Sequence, residues 1–213
     1  MSSYTSSQTW TSYVEMDDVK EWLQFPADAG TAYDQNLQLV IDMATNWVQD
    51  EINRPVAPTT FTERHDGWSG DTIMLHYSPV LEIVEATEYQ STGGPNPLPV
   101  STPGNPVDGI QLNNLTGRIM RTFAGYSWPR PFFPGSRNIE VTYVAGYNPV
   151  PPSIRMATYE LIKYWWANTQ QASRNVITAI EYDPSAPSSD ALWAGVPYRV
   201  SMLIAPYRLV VIA

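Results

Sequence analysis

Two histidines, His65 and His76, are the side chains in this 213-residue sequence best suited to metal binding or acid–base chemistry. A zinc site needs further nitrogen or sulfur ligands at suitable spacing, and the sequence has no cysteine that could supply one. Each histidine stands at the end of a predicted strand, followed by Asp66 and Tyr77 respectively. Ordinary strand-end histidines are the favoured interpretation, and we predict no metal site.

Carboxylates and glycines give no clearer sign of catalysis. The pairs Asp17/Asp18 and Asp50/Glu51 lie in helical segments, where they serve as caps or solvated faces. The glycine pair in residues 93–95 lacks the lysine and the following helix of a phosphate-binding loop, and the other common catalytic motifs are missing. Two carboxylates distant in sequence could still form a glycosidase site, so a hydrolase is the third and weakest alternative. We predict no catalytic residue and no cofactor.

Aromatic residues offer a different chemistry, the stacking of sugar rings. The middle of the chain carries several of them, and they either form a platform or pack within their own turns: Trp68, Tyr126, Trp128, Phe132 and Phe133. A β-rich module that binds carbohydrate, with the helices as its scaffold, is therefore the second functional hypothesis.

The composition points to surfaces that partners cover. Charged residues make up only 15% of the chain, while Trp and Tyr number eight and thirteen. Charge is depleted and aromatic residues are enriched at interface cores, although an aromatic-rich β domain that buries its own rings has the same composition. The net charge of −9 argues against a general nucleic-acid binder, yet it suits a negatively lined channel through which DNA slides. The sequence shows neither a signal peptide nor an apolar stretch long enough to span a membrane.

Hydrophobic spacing predicts three main helices. The first runs from Val14 to Phe25 and ends before a proline, and the second runs from an Asp34 N-cap to about Asn53. The third begins at the proline pair 151–152 and continues to about Ala172. The third helix is apolar on two faces, so it lies either at the centre of its own fold or between subunits.

Between the second and third helices the hydrophobic period changes to two, which is typical of strands. The predicted strands are 60–65, 72–76, 80–90, 109–113, 117–122 and 138–144, with Gly- and Pro-rich turns between them. The predicted fold class is α+β: a small helical bundle of three main helices with a β-rich insertion and an extended C-terminal tail. The corresponding segments are a flexible arm (1–12), a helical core (13–58 and 145–182), a β-rich insertion (59–144), a linker (183–196) and a docking tail (197–213).

The end of the chain is unusually apolar. Val200, Leu203 and Ile204 have helical spacing before Pro206, and residues 209–212 are β-prone. Chain ends fray unless they are tied down, so this tail is expected to be buried. It is buried either against another chain, which the preceding linker would let it reach, or in this protein's own sheet.

The order of these segments resembles the head-to-tail connector proteins, also called adaptor or head-completion proteins, of long-tailed bacteriophages. Four stretches carry the resemblance: residues 13–23, the helix 37–55, the strand–turn–helix segment 144–157 and the tail 196–208. Glu15 stands where the family commonly has Ser or Thr, and segment 91–108 has no counterpart. The stretches cover about half of the chain.

The resemblance implies a non-enzymatic virion protein at the head–tail junction, assembled in the host cytoplasm. It implies a ring of typically about twelve copies beneath the portal protein, which extends the DNA channel and offers a platform to a stopper or tail-completion protein. DNA would pass without specific binding, and no membrane is involved. The implied contact with the portal or an adjacent subunit is made by the following residues: Tyr198, Arg199, Val200, Leu203, Ile204, Pro206, Tyr207, Arg208 and Leu209.

Overall fold

The computed structural model describes residues 12–26, 31–68, 70–90, 93–124, 131–178 and 196–209. These residues divide into two compact units. The β unit comprises the described residues within Arg54–Pro149. The helical unit comprises those within Ser12–Asn53 and Val150–Ala213.

The described residues of the helical unit form four α-helices, namely α1 (Met16–Trp22), α2 (Asp34–Ile52), α3 (Pro152–Thr178) and α4 (Tyr198–Ile204), and a 3₁₀ turn follows at Ala205–Tyr207. Helix α2 buries residues three, four and seven positions apart, including Leu37, Ile41, Ala44 and Val48, as expected for an amphipathic helix. It packs against α3, whose buried face includes Leu161. Helix α2 ends at Asn53, whose left-handed backbone is a common helix terminator.

The second apolar face of α3 is covered by rings of the same unit. Trp22 stacks on Tyr159 with ring centroids 5.7 Å apart, and Phe25 and Tyr33 both contact Trp166. Helix α3 is therefore central in its own unit along this face.

The described part of the β unit holds seven antiparallel strands, namely β1 (Thr59–Gly67), β2 (Thr72–Met74), β3 (Val80–Gln90), β4 (Gly94–Pro97), β5 (Gly109–Asn113), β6 (Arg118–Thr122) and β7 (Gly135–Ala145). One sheet has the order β1-β7-β3-β4 and the other has the order β2-β6-β5. Side chains of both sheets meet in one hydrophobic core, to which Phe61, Val141 and Tyr143 come from the first sheet and Ile110 and Ile119 from the second.

The predicted fold class is wrong. The described residues hold seven strands in two sheets and four helices, so the protein is β-rich and is not a three-helix bundle with a β insertion. The strands contribute the side chains of a hydrophobic core within the β unit. The predicted extended tail is also wrong for residues 198–207, which are helical.

Two local differences have simple causes. Tyr33, not Asp34, occupies the N-cap of α2, and the Asp34 carboxylate lies 2.6 Å from Lys20 Nζ instead. Strand β4 falls in a Gly/Pro-rich segment that predicts a loop. Its prolines Pro95 and Pro97 are tolerated because β4 lies at the edge of its sheet.

Candidate interaction surfaces

Helix α4 packs on its own helical unit through two apolar side chains. Val200 and Ile204 are fully buried, one helical turn apart, and α4 contacts α3. The backbone N–H of Leu209 donates a 3.0 Å hydrogen bond to the carbonyl oxygen of Ile52 in the last turn of α2. This bond satisfies one of the carbonyl groups that a helix end leaves unpaired.

Two ion pairs on the surface flank this contact. Arg199 Nε lies 3.1 Å from Glu160 Oε1 on α3, and Arg208 pairs with Glu51 on α2. Arg208 stands near the C-terminal end of α2, where the helix dipole favours a positive charge. All four side chains are partly or largely exposed, so these pairs orient α4 more than they stabilise it.

The nine residues predicted to bind a partner therefore divide into two groups. The side chains of Val200 and Ile204 are buried where α4 packs on its own unit. Tyr198 is 78% exposed, and it leads a surface that also holds the partly or largely exposed residues Arg199, Leu203, Pro206, Tyr207, Arg208 and Leu209. Met202, which is 56% exposed, joins this surface although the sequence did not single it out. The linker 183–195 and the β-prone residues 210–212 lie outside the described residues.

A buried carboxylate organises the β unit. Glu63 on β1 accepts hydrogen bonds from the Tyr143 hydroxyl and from the His76 N–H, and it bonds with the His65 ring at 3.0 Å. Burial alone would raise the pKa of Glu63, but these hydrogen bonds outweigh burial and lower it below its ordinary value. Burial, together with the bond to Glu63, raises the pKa of Tyr143. Glu63 and its hydrogen-bonding partners therefore form a structural network.

Sequence reasoning missed Glu63, although a signal was present. Glu63 stands on the apolar face of an alternating strand, two residues after Phe61. A carboxylate at such a position needs buried hydrogen-bond donors.

A cleft of about 360 Å³ opens beside the edges of both sheets. Its lining comes from β1 and β2, the loop between them and the start of β7: Arg64, His65, Asp66, Trp68, Thr72, Ile73, Met74, Ser136 and Arg137. The Asp66 carboxylate accepts hydrogen bonds from the Arg137 N–H at 2.5 Å and from the Ser136 hydroxyl at 3.2 Å. The bond from the Arg137 N–H is the main reason that the pKa of Asp66 is lowered. This carboxylate holds the start of β7 against β1.

The described members of the aromatic set considered for sugar stacking differ in exposure. Trp68 is 84% exposed at the cleft, whereas Phe132 lies in the hydrophobic core. Phe133 is only partly exposed. Tyr126 and Trp128 lie outside the described residues.

A second cleft lies on the helical unit. Trp22 and Tyr159 line it together with charged side chains of α1 and α3. Arg155 pairs with Asp18 at 3.3 Å, and both are about half exposed. The Tyr159 hydroxyl and the Asp18 carboxylate hold the Arg155 guanidinium, and they raise its pKa.

Within the described residues, no group of three or more His, Asp or Glu side chains is arranged to hold a metal ion. His65 and His76 both lie near Glu63, but His76 contributes its backbone N–H. Among the same residues, no helix is long and apolar enough to cross a membrane.

Comparison with solved structures shows the same fold in chains of gene transfer agent particles. One chain belongs to the neck of an empty particle computed with C6 symmetry: it has a TM-score of 0.62 and 16% identity, with 100% of this chain and 97% of that chain covered. A second belongs to the neck of a native particle computed with C12 symmetry, with a TM-score of 0.60, 16% identity and the same coverage. A chain from the virion of the native particle has a TM-score of 0.60 and 17% identity over the same shares. At these identities the likeness establishes the fold.

The sequence itself identifies the family. No curated protein matches it. The model of the head completion protein family matches residues 14–210, which is nearly the whole chain. The match spans both units and confirms the resemblance to connector and head-completion proteins. The chain belongs to the head completion protein family.

Proposed function

We propose that this chain is a structural, non-catalytic head-to-tail adaptor that forms a ring at the head–tail junction of a virion. The observation that carries the proposal is the shared fold with neck chains over 100% of this chain and 97% of those chains. Family membership supports the same role. The C12 symmetry used for one of those necks supports a ring of twelve copies.

In this proposal the ring sits beneath the portal protein and continues the DNA channel toward a stopper or tail-completion protein. Copies assemble on the portal in the host cytoplasm before they become part of the virion. The net charge of −9 keeps free copies apart, and acidic side chains along the channel repel passing DNA. Contact energy that is weak for one copy is multiplied around the ring.

The exposed side of α4 is the proposed contact with the portal or the adjacent subunit. Val200 and Ile204 hold α4 on its own unit, which leaves Tyr198 and Met202 free to enter a partner's surface. The surrounding polar side chains, including Arg199, form the rim. A central apolar anchor with a polar rim is the usual anatomy of a protein interface.

The test is electron microscopy of particles that lack this chain and of particles that carry surface variants. Without the chain, we expect filled heads that have no tails. Deletion of residues 197–213 would also expose the surface of α3 on which α4 packs. The sharper variant is therefore Tyr198→Ser with Met202→Ser, which leaves the buried contact intact.

The matched control is Leu115→Ser in the β5–β6 turn, where an apolar side chain is 80% exposed. We expect the α4 double variant to reduce incorporation into particles and the control to leave it unchanged. Tailed, infectious particles formed without the chain would overturn the proposed role. Normal incorporation of the double variant would overturn the α4 contact alone.

A further inference from the structure

Helix α2 carries an apolar pair on the side opposite its buried stripe. Leu39 is 59% exposed and Met43 is 49% exposed, and the two lie one helical turn apart. Asp42 and Asp50 are exposed beside them, and neither carboxylate forms an ion pair with another described residue. Helix α2 contains no Lys or Arg. These four residues, here called the outer face of α2, therefore form an acidic and apolar surface.

The cleft of the β unit is apolar and basic. Trp68 is 84% exposed and Met74 is 56% exposed, and both line the cleft. Arg137 lines it too, and Arg118 donates a 3.2 Å hydrogen bond to Thr72 in its wall. Both arginines are exposed, and neither forms an ion pair with another described residue. The cleft therefore offers two apolar side chains and two unpaired positive charges.

The other charged side chains at the cleft already have partners in the β unit. Arg64 pairs with Glu140 at 2.5 Å. The Asp66 carboxylate accepts hydrogen bonds from the Ser136 hydroxyl and the Arg137 N–H. The whole chain has only 12 basic residues against 21 acidic ones, so two unpaired arginines at one cleft are an uncommon surface for this protein. A partner surface with carboxylates would complement them.

We propose that the outer face of α2 docks on the β-unit cleft of the adjacent copy. The inference rests on the ring proposed above and uses a surface separate from α4. The apolar pair of α2 packs against the apolar pair of the cleft, and its two carboxylates face the two unpaired arginines. A ring needs two different surfaces on each copy, because a head-to-tail contact repeats around it. The outer face of α2 and the cleft supply two such surfaces.

Other pairings of described surfaces fit less well. Two outer faces of α2 would bring carboxylates together, and two clefts would bring arginines together, which like-charge repulsion opposes. Strand β3 also exposes an acidic surface, but Val84 is the one large apolar side chain beside Glu82 and Glu85 there. The cleft volume of about 360 Å³ admits side chains, whereas a whole helix is about 10–12 Å across. Helix α2 therefore lies across the mouth of the cleft and inserts its apolar pair.

The absence of cysteine in the chain allows a direct test by disulfide trapping. One copy carries Met43→Cys and a second copy carries Met74→Cys, and particles assembled from a mixture of the two are mildly oxidised. We expect disulfide-linked dimers that contain one copy of each kind. The matched control replaces Met43→Cys by Val84→Cys, at a site that is 59% exposed on β3, and should give several-fold fewer dimers.

Three outcomes of this trapping experiment would overturn the proposed contact. Dimers that join two Met43→Cys copies would show that α2 pairs with itself. Dimers between Val84→Cys and Met74→Cys in equal yield would show that β3, and not α2, reaches the cleft equally well. Particles that contain both kinds of copy but yield no dimers would show that the two surfaces do not meet.

Charge reversal tests the complementarity of the two surfaces. In the cysteine-bearing copies, Asp42→Lys with Asp50→Lys on α2, or Arg118→Glu with Arg137→Glu at the cleft, should each lower the trapped fraction several-fold. Combining both reversals should restore it, because opposite charges face each other again. Lys163→Glu, at an exposed site on α3, is the control and should leave the trapped fraction unchanged. A loss that the combination did not restore would refute the pairing of these charges.

Methionine oxidation needs no substitution and separates this inference from the proposed function. Met43 and Met74 are both about half exposed in the free chain, so peroxide should oxidise them readily. In assembled particles, mass spectrometry should show that both are oxidised several-fold more slowly. Particles that contain the chain but leave either methionine as reactive as in the free chain would refute the contact and leave the adaptor role intact. Particles that never incorporate the chain would refute the adaptor role, and this inference with it.

Discussion

The two units use charge in opposite ways. The β unit buries charged groups: Glu88 on β3 and Arg121 on β6 lie 3.7 Å apart, each less than one tenth exposed, and Glu63 is enclosed nearby. The helical unit keeps ion pairs such as Arg155–Asp18 at its surface, and its described buried polar side chains, such as Gln49 and Thr158, are uncharged. Breaking a buried ion pair is costly because the remaining charge stays buried without a partner. When an exposed ion pair is broken, water solvates the remaining charge. We therefore expect the buried charges of the β unit to matter more for stability than the exposed ion pairs of the helical unit.

The largest difference in stability should appear when one arginine of an ion pair is replaced by methionine in each unit. Arg121→Met leaves the Glu88 carboxylate buried with only neutral donors, among them the Phe133 N–H at 2.7 Å. We expect a loss of about 3–5 kcal/mol in denaturant unfolding of the β unit. Arg155→Met, the matched change at the surface, should cost less than about 1 kcal/mol. Equal losses for the two variants would contradict the contrast.

The next largest effect should come from the buried side of α4. Ile204→Ala removes a fully buried side chain and should cost about 2–4 kcal/mol, with faster hydrogen exchange across residues 197–208. Met202→Ala, on the exposed side, should change stability by no more than about 0.5 kcal/mol. If the two variants behaved alike, α4 would not be anchored through Ile204.

The buried carboxylate predicts how the stability of the β unit depends on pH. The pKa of Glu63 is lowered on folding, so its contribution is present above the unfolded value of about 4.3 and is lost as the pH falls through the folded value. The unfolding free energy of the unsubstituted protein, measured at a series of pH values from 7 downward, should show this loss. Glu63→Gln should reduce the dependence of the unfolding free energy on pH in the acidic range. An unchanged pH dependence would argue against the network.

The smallest effect should come from the ion pairs that flank α4. Arg208→Ala removes the partner of Glu51 and should cost about 0.5 kcal/mol or less. Since the pair is exposed, about 1 M salt should remove most of even this difference, because the screening length falls to about 3 Å. Thermal unfolding at low and high salt measures it. A loss that matched that of Ile204→Ala would show that charge, and not apolar packing, holds α4.

Local patterns predicted the elements well where one period dominates a segment. The bounds of β3 and β5 follow from alternating residues, and those of α2 follow from its apolar stripe and from Arg54 and Pro55, which come directly after its end. Strand β4 was hidden because its pairing with β3, not its own Gly/Pro-rich sequence, makes it a strand. The fold class was wrong for a related reason: periodicity shows which residues are buried but does not show which elements share a core.

The candidate surfaces show the same limit. The spacing of Val200 and Ile204 identified a buried face at the end of the chain, yet sequence alone left open whether the chain itself or a partner covers it. The structure buries the side chains of both residues in the helical unit and leaves those of Tyr198 and Met202 exposed. The position of β1 at the edge of its sheet has no signature in the sequence, because an edge is defined by which strands pair.

By itself, the sequence determined the positions of most helices and strands, the apolar face of α4 and the resemblance to connector proteins. These are properties of residue type and spacing, which act within a few turns or a few strand positions. Only the tertiary structure decided that the strands form a compact unit, that Glu63 and Tyr143 meet although they lie far apart in the chain, and that β1 lies at the edge of its sheet. Those outcomes depend on contacts between distant segments, which local periodicity does not encode.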